Sequence, residues 1–337
     1  MNYRHAFHAG NFADVLKHLV LVQILLHLKR KDAPFRVIDT HAGTGVYDLG
    51  SEAAIKTGEW CDGVGRVLVA DQHSGDCFAV GDVSEDVGVL LRPYAEAVNC
   101  ALRLVGRTDV AGDAGATGAA AVSPLLSRYP GSPLIAAALM RAQDRLIANE
   151  LHPDDRAALA ATLRQASGPE AGQTKKTGLK ETRFKETQLK VMGLDGYTAL
   201  KSLLPPAERR GVVLVDPPFE QPGEFDSMVL GLSEGLKRFA TGIFAMWYPI
   251  KALQPVAEFQ NKIADLVSAP GKYRCDVLFA DLHLRAPRDP DRLNGCGLAI
   301  ANPPFQLEDR LDAGLPGLVD LLSDDPGRYT EVTMVHA

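Results

Sequence analysis

Apolar residues recur along the chain in two patterns, one with a helical period and one continuous. Between Asp14 and Lys31 they follow the helical period and stop before Pro34, which predicts an amphipathic helix near the start of the chain. Continuous apolar runs predict buried strands at residues 35–38, 146–150, 189–192, 211–216, 243–247, 275–284 and 297–301. Further helices are predicted at residues 87–104, 134–145, 154–165, 197–203, 227–239 and 256–268. This alternation is typical of an α/β fold, in which helices cover both faces of a mostly parallel sheet.

Residues 50–128 interrupt the alternation, because pieces rich in glycine, alanine and aspartate surround a single helical stretch. We expect this segment to form an inserted helical subdomain. Residues 1–49 then supply an N-terminal cap, a helix and the first strand of the core, and residues 129–337 supply the remainder of the core. A chain of 337 residues is long enough to bury a core of this size.

Charge is unevenly distributed, and the formal net charge is −6. That balance argues against a protein that coats nucleic acid by bulk electrostatics, so any contact with nucleic acid must be local. The strongest basic run lies in a second insertion, at about residues 168–188, and its cations are Lys175, Lys176, Lys180, Arg183, Lys185 and, just beyond it, Lys190. Two interpretations stay open, a loop that faces phosphate or a solvated, partly disordered insertion.

The sequence shows no pattern typical of a membrane span, a secretion signal, a disulfide framework or a zinc site. Apolar stretches stop short of the roughly 20 residues that a membrane span needs. Residues 1–10 lack the apolar core of a secretion signal, so a cytoplasmic protein is expected. The five cysteines are scattered and form no C-x-x-C pair, which favours free thiols over a disulfide framework or a zinc site.

A glycine-rich segment, D-T-H-A-G-T-G at residues 39–45, follows the first predicted strand. In an open α/β sheet such a turn lets the backbone approach a ligand, and an acidic residue at the end of a neighbouring strand takes ribose hydroxyls. Gly43 in the turn and Glu150 at a later strand end are therefore candidates for binding a nucleotide. Glu150 lies far beyond the spacing of about 20 residues found in dinucleotide folds, which fits an insertion between the two.

The clearest buried strand ends in D-P-P-F at residues 216–219. An exocyclic amino nitrogen is a poor nucleophile, because its lone pair is delocalised into the ring. The carboxylate of Asp216 and the backbone carbonyl of Pro217 can draw on both of its N–H bonds, and Phe219 can stack on a base flipped out of its helix. The pattern predicts methylation of an amino group, although D-P-P is also a common turn after a strand.

A second string of this kind, N-P-P-F at residues 302–305, follows another apolar strand. It is the rival candidate for the catalytic tetrad. Because it comes late in the chain, a terminal hairpin is expected to place it at the edge of the sheet. We interpret it as a turn that ends a strand, with Phe305 packed against the protein.

These motifs resemble the RlmJ-type 23S ribosomal RNA adenine-N6 methyltransferases. The resemblance also rests on Y-R-H-A-F-H-A-G-N-F-A-D-V-L-K-H, P-G-S-P, E-L-H-P and G-L-K-R-F-A-T-G-I-F-A-M-W-Y-P, which occur in that order between residues 2 and 308. It implies a class I, Rossmann-like methyltransferase fold with a mostly parallel seven-stranded sheet and an inserted helical subdomain. It also implies S-adenosyl-L-methionine as cofactor, S-adenosyl-L-homocysteine as product and 23S rRNA as partner. A monomer that needs neither metal nor membrane is expected.

The resemblance implies roles for individual residues as well. With Gly43 of the glycine turn, contacts to the cofactor fall on Lys17, His18, His41, Ser132, Glu150, Asp195, Gly196 and Asp216. Glu150 would hold the ribose, and Asp195 would accept a hydrogen bond from the adenine amino group of the cofactor. Ser132 is also expected to cap the helix that follows it.

Catalysis is implied for Asp216, with Pro217 orienting the amine and Phe219 holding the base. Phe219 stands where tyrosine is more usual in this family, a change that keeps stacking and removes a hydroxyl. A cap over the site that touches RNA is implied for the first residues of the chain, namely Tyr3, Arg4, His5 and His8. Of these, Tyr3 is counted with the catalytic residues.

Two other functions stay open at this point. The same tetrad serves planar amides, so DNA adenine or a protein glutamine amide are alternative methyl acceptors. A catalytically silent RNA-binding factor would keep the same fold, although the intact Asp216 and Gly43 favour an enzyme.

Overall fold

The computed structural model describes residues 4–70, 78–106, 127–168, 188–269 and 273–337. Tyr3 and most of the basic insertion lie outside these ranges. The strands are β1 (Arg36–Asp39), β2 (Val46–Asp48), β3 (Val69–Ala70), β4 (Phe78–Ala79), β5 (Arg128–Pro130), β6 (Arg145–Asn149), β7 (Leu189–Met192), β8 (Gly211–Val215), β9 (Ile243–Ile250), β10 (Val277–His283), β11 (Gly295–Ala301) and β12 (Tyr329–Val335). The α-helices are α1 (Phe12–Lys29), α2 (Glu52–Thr57), α3 (Val64–Val67), α4 (Glu85–Leu104), α5 (Ser132–Leu139), α6 (Pro153–Ser167), α7 (Gly196–Leu203), α8 (Glu224–Arg238), α9 (Leu253–Ser268) and α10 (Leu307–Leu322).

Eight strands form the central sheet in the order β12-β10-β11-β9-β8-β1-β6-β7. Neighbours from β7 to β9 pair in parallel, whereas β11, β10 and β12 are joined by antiparallel pairing. The carboxyl ends of the five parallel strands therefore meet at one edge of the sheet. The predicted α/β fold with a mostly parallel sheet is confirmed, with one strand more than the seven expected, because β12 pairs with β10 at the end of the sheet.

Alternate residues of the central strands point into two separate cores. Val37 and Val212 lie in the core that α1, α4, α5 and α10 share, and Ile38 and Val213 lie in the core under α7, α8 and α9. This is the period of two that a strand imposes on its side chains. Because both faces are covered, β8 is apolar and buried along its whole length.

Helix α1 is buried on almost every side. The side chain of Asn11 caps its start by accepting from the N–H groups of Ala13 and Asp14. The helix contacts β8, β11, α4, α5 and α10, so 14 of its 18 residues are buried where a single amphipathic stripe was expected. Even so, neither α1 nor another helix in the described ranges is long and apolar enough to cross a membrane.

The segment between β2 and β5 reaches the core through α4. That helix packs against α1, α5 and α10, and Leu90, Tyr94 and Val98 are fully buried in the same hydrophobic core as α1. Through α4, the segment predicted as an insertion at residues 50–128 thus packs against α1.

Several elements differ from the sequence predictions, and the short strands β2 to β5 and the helices α2 and α3 were not predicted at all. The helix predicted over residues 134–145 ends at Leu139, and β6 begins at Arg145. Helix α10 was not predicted, because Pro316 and its neighbouring glycines interrupt the helical pattern. Strand β12 was not predicted either, because as an edge strand it buries little of its surface and carries no long apolar run.

Candidate active site

A cavity of about 620 Å³ opens at the edge where the parallel strands end. It brings together eleven residues that the sequence predicted for the site, from six separate segments of the chain. They are Lys17, His18, His41, Gly43, Ser132, Glu150, Asp195, Gly196, Asp216, Pro217 and Phe219. The twelfth predicted residue, Tyr3, lies outside the described residues. Their proximity is observed, and their individual roles remain predictions.

The glycine turn and the acid of β6 meet directly. Gly43 has a φ of +62°, which favours glycine, and its N–H donates to Oε2 of Glu150 at 2.8 Å. The N–H of His152 donates to the other oxygen, Oε1, at 2.8 Å. A carboxylate has about four lone-pair sites, so Glu150 is held in place by the backbone and still has acceptor capacity for ribose hydroxyls.

A second turn, at the end of β7, forms the neighbouring wall of the cavity. Asp195 caps α7 by accepting from the N–H of Thr198 through Oδ1 at 2.9 Å, which leaves Oδ2 for a ligand. A Cβ on Gly196 would lie only 2.5 Å from the His41 ring, so only glycine fits beside that histidine. Burial lowers the pKa of His41 to about 4, and the ring is therefore neutral at physiological pH.

Ser132 does not cap its helix, contrary to the prediction. The N-cap position of α5 is taken by Gly131, and the Ser132 hydroxyl instead donates to Oδ2 of Asp39 at 2.6 Å. Asp39 ends β1 and is buried, and burial raises its pKa to about 6. A buried carboxylate attracts any nearby donor strongly, which explains why the hydroxyl turns inward.

Lys17 stands between two carboxylates. Its ammonium nitrogen lies 2.5 Å from Oδ2 of Asp216 and 2.7 Å from Oδ1 of Asp14. Burial alone would lower the pKa of Lys17, but the charges of Asp14 and Asp216 outweigh it and hold that pKa well above its usual range. The lysine is thus charged, and it anchors the Asp216 carboxylate through a single oxygen.

Asp14 was missed by the sequence analysis. Besides Lys17, its carboxylate accepts from Nε2 of His5 at 2.9 Å and from the N–H of Gly10 at 2.8 Å. The charges of His5 and Lys17 outweigh burial and hold the pKa of Asp14 well below its usual range. The available signal was the spacing of Asp14 and Lys17, three residues apart on one helix, which suits an ion pair.

His18 belongs to a buried chain of hydrogen bonds that reaches the insertion. Its Nδ1 lies 2.7 Å from the Tyr129 hydroxyl, which lies 2.7 Å from the Tyr94 hydroxyl on α4. Burial lowers the pKa of His18 to about 3, so this ring is neutral as well. Nε2, the other ring nitrogen, is buried without a hydrogen-bond partner among the described residues, and His18 is one of the residues that line the cavity.

Aromatic rings form the cavity wall beyond Asp216. Phe219 has a φ of +51°, and its ring packs edge-on against Phe225 and Trp247, with centroids 5.0 and 5.9 Å apart. Trp247 also lines the cavity. These contacts hold the Phe219 ring at the wall, where a planar base can pack.

The start of the chain is fastened over the cavity by polar contacts. Arg4 pairs with Asp155 at 3.4 Å, and His8 lies 2.9 Å from Oε1 of Glu59, a carboxylate that raises the histidine pKa. His5 and His8 both line the cavity. The predicted cap is thus made of residues that are hydrogen-bonded in this structure, and its contact with RNA remains a prediction.

The rival string at residues 302–305 lies away from the cavity. It follows β11, which runs antiparallel to β9, so its carboxyl end lies at the opposite edge of the sheet. The Asn302 amide donates to the carbonyls of Ala240 and Gly242 at 2.9 and 2.8 Å, which makes it a turn that ends a strand, as predicted. The prediction that this string follows an outermost strand of the sheet was wrong, because β11 lies between β9 and β10. The prediction that Phe305 is packed was also wrong, because its side chain is 77% exposed.

Two further observations concern metal and thiol chemistry. Within the described ranges, no three His, Cys, Asp or Glu side chains are grouped so that they could hold a metal ion. Four of the cysteines are free thiols, namely Cys61, Cys100, Cys275 and Cys296. Cys77 lies outside the described residues.

The chain is similar to known proteins along nearly its whole length. A family model described as "Ribosomal RNA large subunit methyltransferase D, RlmJ" matches residues 32–78, 121–183 and 170–335. Ribosomal RNA large subunit methyltransferase J of Escherichia coli (strain K12) is 36% identical over 318 residues, which cover 94% of this chain and 92% of that protein. The protein of the same name from Haemophilus influenzae is 34% identical over 331 residues, covering 98% and 97%. The crystal structure of protein LPL1258 from Legionella pneumophila has a TM-score of 0.69 at 27% identity, with 98% of each chain covered. The chain therefore belongs to the RlmJ family of ribosomal RNA large subunit methyltransferases.

Proposed function

We propose that this protein transfers the methyl group of S-adenosyl-L-methionine to the N6 amino group of an adenine in 23S rRNA and releases S-adenosyl-L-homocysteine. The observation that carries the proposal is the position of Asp216. Its carboxylate lines the same cavity as the glycine turn, Glu150 and Asp195. A donor site and an amine-activating acid therefore lie together, as transfer between two bound molecules requires.

The residues on the side of β1, β6 and β7 fit S-adenosyl-L-methionine. Glu150 keeps acceptor capacity for ribose hydroxyls, and Asp195 has an oxygen that can accept from an adenine amino group. The absence of a Cβ at Gly196 lets the His41 ring pack against the turn that carries Asp195. When bound, S-adenosyl-L-methionine supplies a methyl group already activated by a positively charged sulfur, so the proposal needs no metal.

Asp216 and Pro217 act on the amine of the target base. The carboxylate and the backbone carbonyl accept its two N–H bonds, which concentrates the lone pair on the nitrogen as it pyramidalises. Lys17 binds only Oδ2 of Asp216, so Oδ1 remains for the amine. The proton that the amine loses can then pass to the Asp216 carboxylate. Burial lowers the pKa of His18 to about 3 and that of His41 to about 4, which makes both rings weak bases for this proton.

Phe219 and Trp247 receive the target base. A base must leave its helix to reach Asp216, and stacking on an aromatic face stabilises it by about 1–3 kcal/mol. The edge-on packing against Phe225 leaves the Phe219 ring available at the cavity wall. Tyr3, with Arg4, His5 and His8, is proposed to close over this base.

The remaining parts of the proposal concern the whole chain. Residues 50–128 are a helical subdomain inserted in the methyltransferase core. The basic insertion at about residues 168–188 either faces RNA phosphate or is solvated, and deleting residues 173–188 changes the salt dependence of RNA affinity only in the first case. The protein acts as a monomer in the cytoplasm, where ribosomal RNA is made and assembled.

Methyl incorporation distinguishes this proposal from its alternatives. Labelled S-adenosyl-L-methionine is supplied with protein-free 23S rRNA, duplex DNA or a release factor, and the modified nucleoside is identified by mass spectrometry. The expected result is N6-methyladenosine in 23S rRNA alone. Label in DNA or protein alone rejects the substrate, and calorimetry that shows no binding of the cofactor revives the silent RNA-binding factor.

A further inference from the structure

The cavity continues past Asp216 to a wall that the cofactor residues do not reach. Strand order places β1, β6 and β7 on one side of β8, and β9 and β11 on the other. Trp247 and Pro249 of β9 and Leu293 before β11 therefore line the far wall, with Lys251 at its end. This wall is apolar up to Lys251 and Asp291 at its end, and it suits a base whose phosphate stays at the mouth.

A fixed loop stands beside that mouth, at residues 284–294 between β10 and β11. The side-chain amide of Asn294 donates to the carbonyls of Lys251 and Asp289 at 2.8 and 2.7 Å. The guanidinium of Arg285 donates to the Leu293 carbonyl at 2.8 Å. The bond from Asn294 to Lys251 ties the loop to the end of β9, so the loop backbone keeps a set position relative to the cavity.

Three exposed cations project from this region, namely Lys251, Arg288 and Arg292. Among the residues that the structure describes, none of the three forms an ion pair with a carboxylate. Some exposed lysines elsewhere do so, as Lys237 does with Glu234 at 2.6 Å. Unpaired cations on a chain with a net charge of −6 are available to an anionic ligand.

We propose that Lys251, Arg288 and Arg292 form a phosphate-binding rim, which holds the RNA backbone next to the extruded adenine. This proposal rests on the proposed function, and it places the backbone of the substrate RNA beside the mouth of the cavity. Unstacking a base costs a few kcal/mol, and contacts to phosphate position a nucleic acid without reading its sequence. Binding of phosphate to the rim offsets the free energy of unstacking, and the rim lies on the side of the cavity opposite the cofactor residues.

The test compares two triple variants that each remove three positive charges. The rim variant carries Lys251→Ala, Arg288→Ala and Arg292→Ala. The control carries Lys201→Ala, Arg209→Ala and Arg238→Ala, which replace exposed cations outside the cavity lining. Binding of protein-free 23S rRNA fragments is measured on filters over a range of salt, and methyl transfer is measured in parallel. Calorimetry with S-adenosyl-L-methionine checks that both variants are folded.

The rim variant is expected to lose about tenfold in RNA affinity, with a matching rise in KM for RNA rather than a fall in kcat. The slope of log affinity against log salt should become shallower by about 2, since each lost contact to single-stranded phosphate removes about 0.7. An affinity and slope equal to those of the control overturn the rim. Filter binding does not depend on turnover, so it tests the rim separately from the proposed function. A wild-type protein that binds RNA without methylating it contradicts the proposed function, and the comparison of the two variants still decides whether the rim binds phosphate.

Discussion

The ammonium group of Lys17 lies 2.5 Å from Oδ2 of Asp216, and both side chains are largely buried. Lys17 lies on α1 and Asp216 directly follows β8, so the contact joins two parts of the chain 199 residues apart. It fixes the orientation of the carboxylate through Oδ2 and leaves Oδ1 to face a ligand. The acid thus faces the cavity as an acceptor before any substrate arrives.

Replacing Lys17 tests this relationship. Lys17→Met keeps the aliphatic length and removes the charge, so Asp216 loses its anchor in a partly buried site. The expected result is a fall of about 100-fold in the single-turnover rate at saturating cofactor and RNA, a size typical for one preorganised electrostatic contact. Lys17→Arg keeps the charge and should retain more activity. A Lys17→Met rate within threefold of wild type would show that the contact does not matter for transfer.

Asp14 is predicted to position Lys17 and the N-terminal cap. Asp14→Asn removes the charge that faces both Lys17 and His5, so the rate of methyl transfer should fall at least tenfold, an effect of about 1.4 kcal/mol. Asp144→Asn is the matched control, because Asp144 is fully buried and paired with Arg141 at 2.9 Å, away from the cavity. The Asp144→Asn variant should have a lower melting temperature than wild type, and its folded fraction should transfer methyl groups at the wild-type rate. Equal losses of rate in the two variants would reduce Asp14 to a purely structural role.

Asp39 makes a prediction about pH. Its pKa is raised by burial to about 6 from an ordinary value of 3.8. The carboxyl therefore contributes stability that is fully present below the unfolded pKa and is lost as the pH rises through about 6. Asp39→Asn, which cannot ionise, should raise the free energy of unfolding at pH 8 by up to about 3 kcal/mol and change it little near pH 4. The measurement is urea unfolding at both pH values. An Asp39→Asn variant less stable than wild type at pH 8 would contradict the prediction that the ionised Asp39 carboxylate destabilises the folded protein.

The contribution of Asp14 to stability depends on pH in the opposite direction to that of Asp39, and urea unfolding measures it too. Its pKa is held low in the folded protein by the charges of His5 and Lys17 against the effect of burial. Its contribution to stability is present above the unfolded pKa and lost as the pH falls. Asp14→Asn should therefore destabilise the protein about equally at pH 8 and pH 4, and its effect should shrink only when urea unfolding is extended below the unfolded pKa of about 3.8.

Gly196 is predicted to be required for cofactor binding. Its missing Cβ would lie 2.5 Å from the His41 ring, closer than side chains tolerate, so Gly196→Ala must displace the ring or the turn that carries Asp195. Calorimetry should show a fall of at least tenfold in affinity for S-adenosyl-L-methionine, which corresponds to about 1.4 kcal/mol. Gly81→Ala is the control, since a Cβ there meets nothing within 4 Å. Wild-type affinity in Gly196→Ala would mean that the turn adapts freely.

The sequence predicted the sheet well where apolar runs are continuous. Strands such as β8 are buried on both faces, so their whole length is apolar and easy to recognise. The pattern failed for α10, which tolerates Pro316 inside the helix because tertiary packing outweighs helix propensity. It also failed for β12, since an edge strand needs no apolar run.

The site could be predicted as far as it depends on strand ends and motifs. Residues such as Gly43, Glu150 and Asp216 lie where parallel strands terminate, and topology alone brings them to one edge. Asp14 could not be placed in this way, because its importance comes from partners brought close only by the folded chain. The same holds for Ser132, whose hydroxyl points to Asp39 and not to its own helix.

The most direct test of the central claim measures methyl transfer and cofactor affinity in Asp216→Ala. Single-turnover transfer to protein-free 23S rRNA should fall by at least about 1,000-fold, because the amine loses its principal acceptor and Lys17 loses its partner. The dissociation constant for S-adenosyl-L-methionine, measured by calorimetry, should stay within a few-fold of wild type. Transfer within tenfold of the wild-type rate would contradict the assignment of Asp216 as the catalytic acceptor.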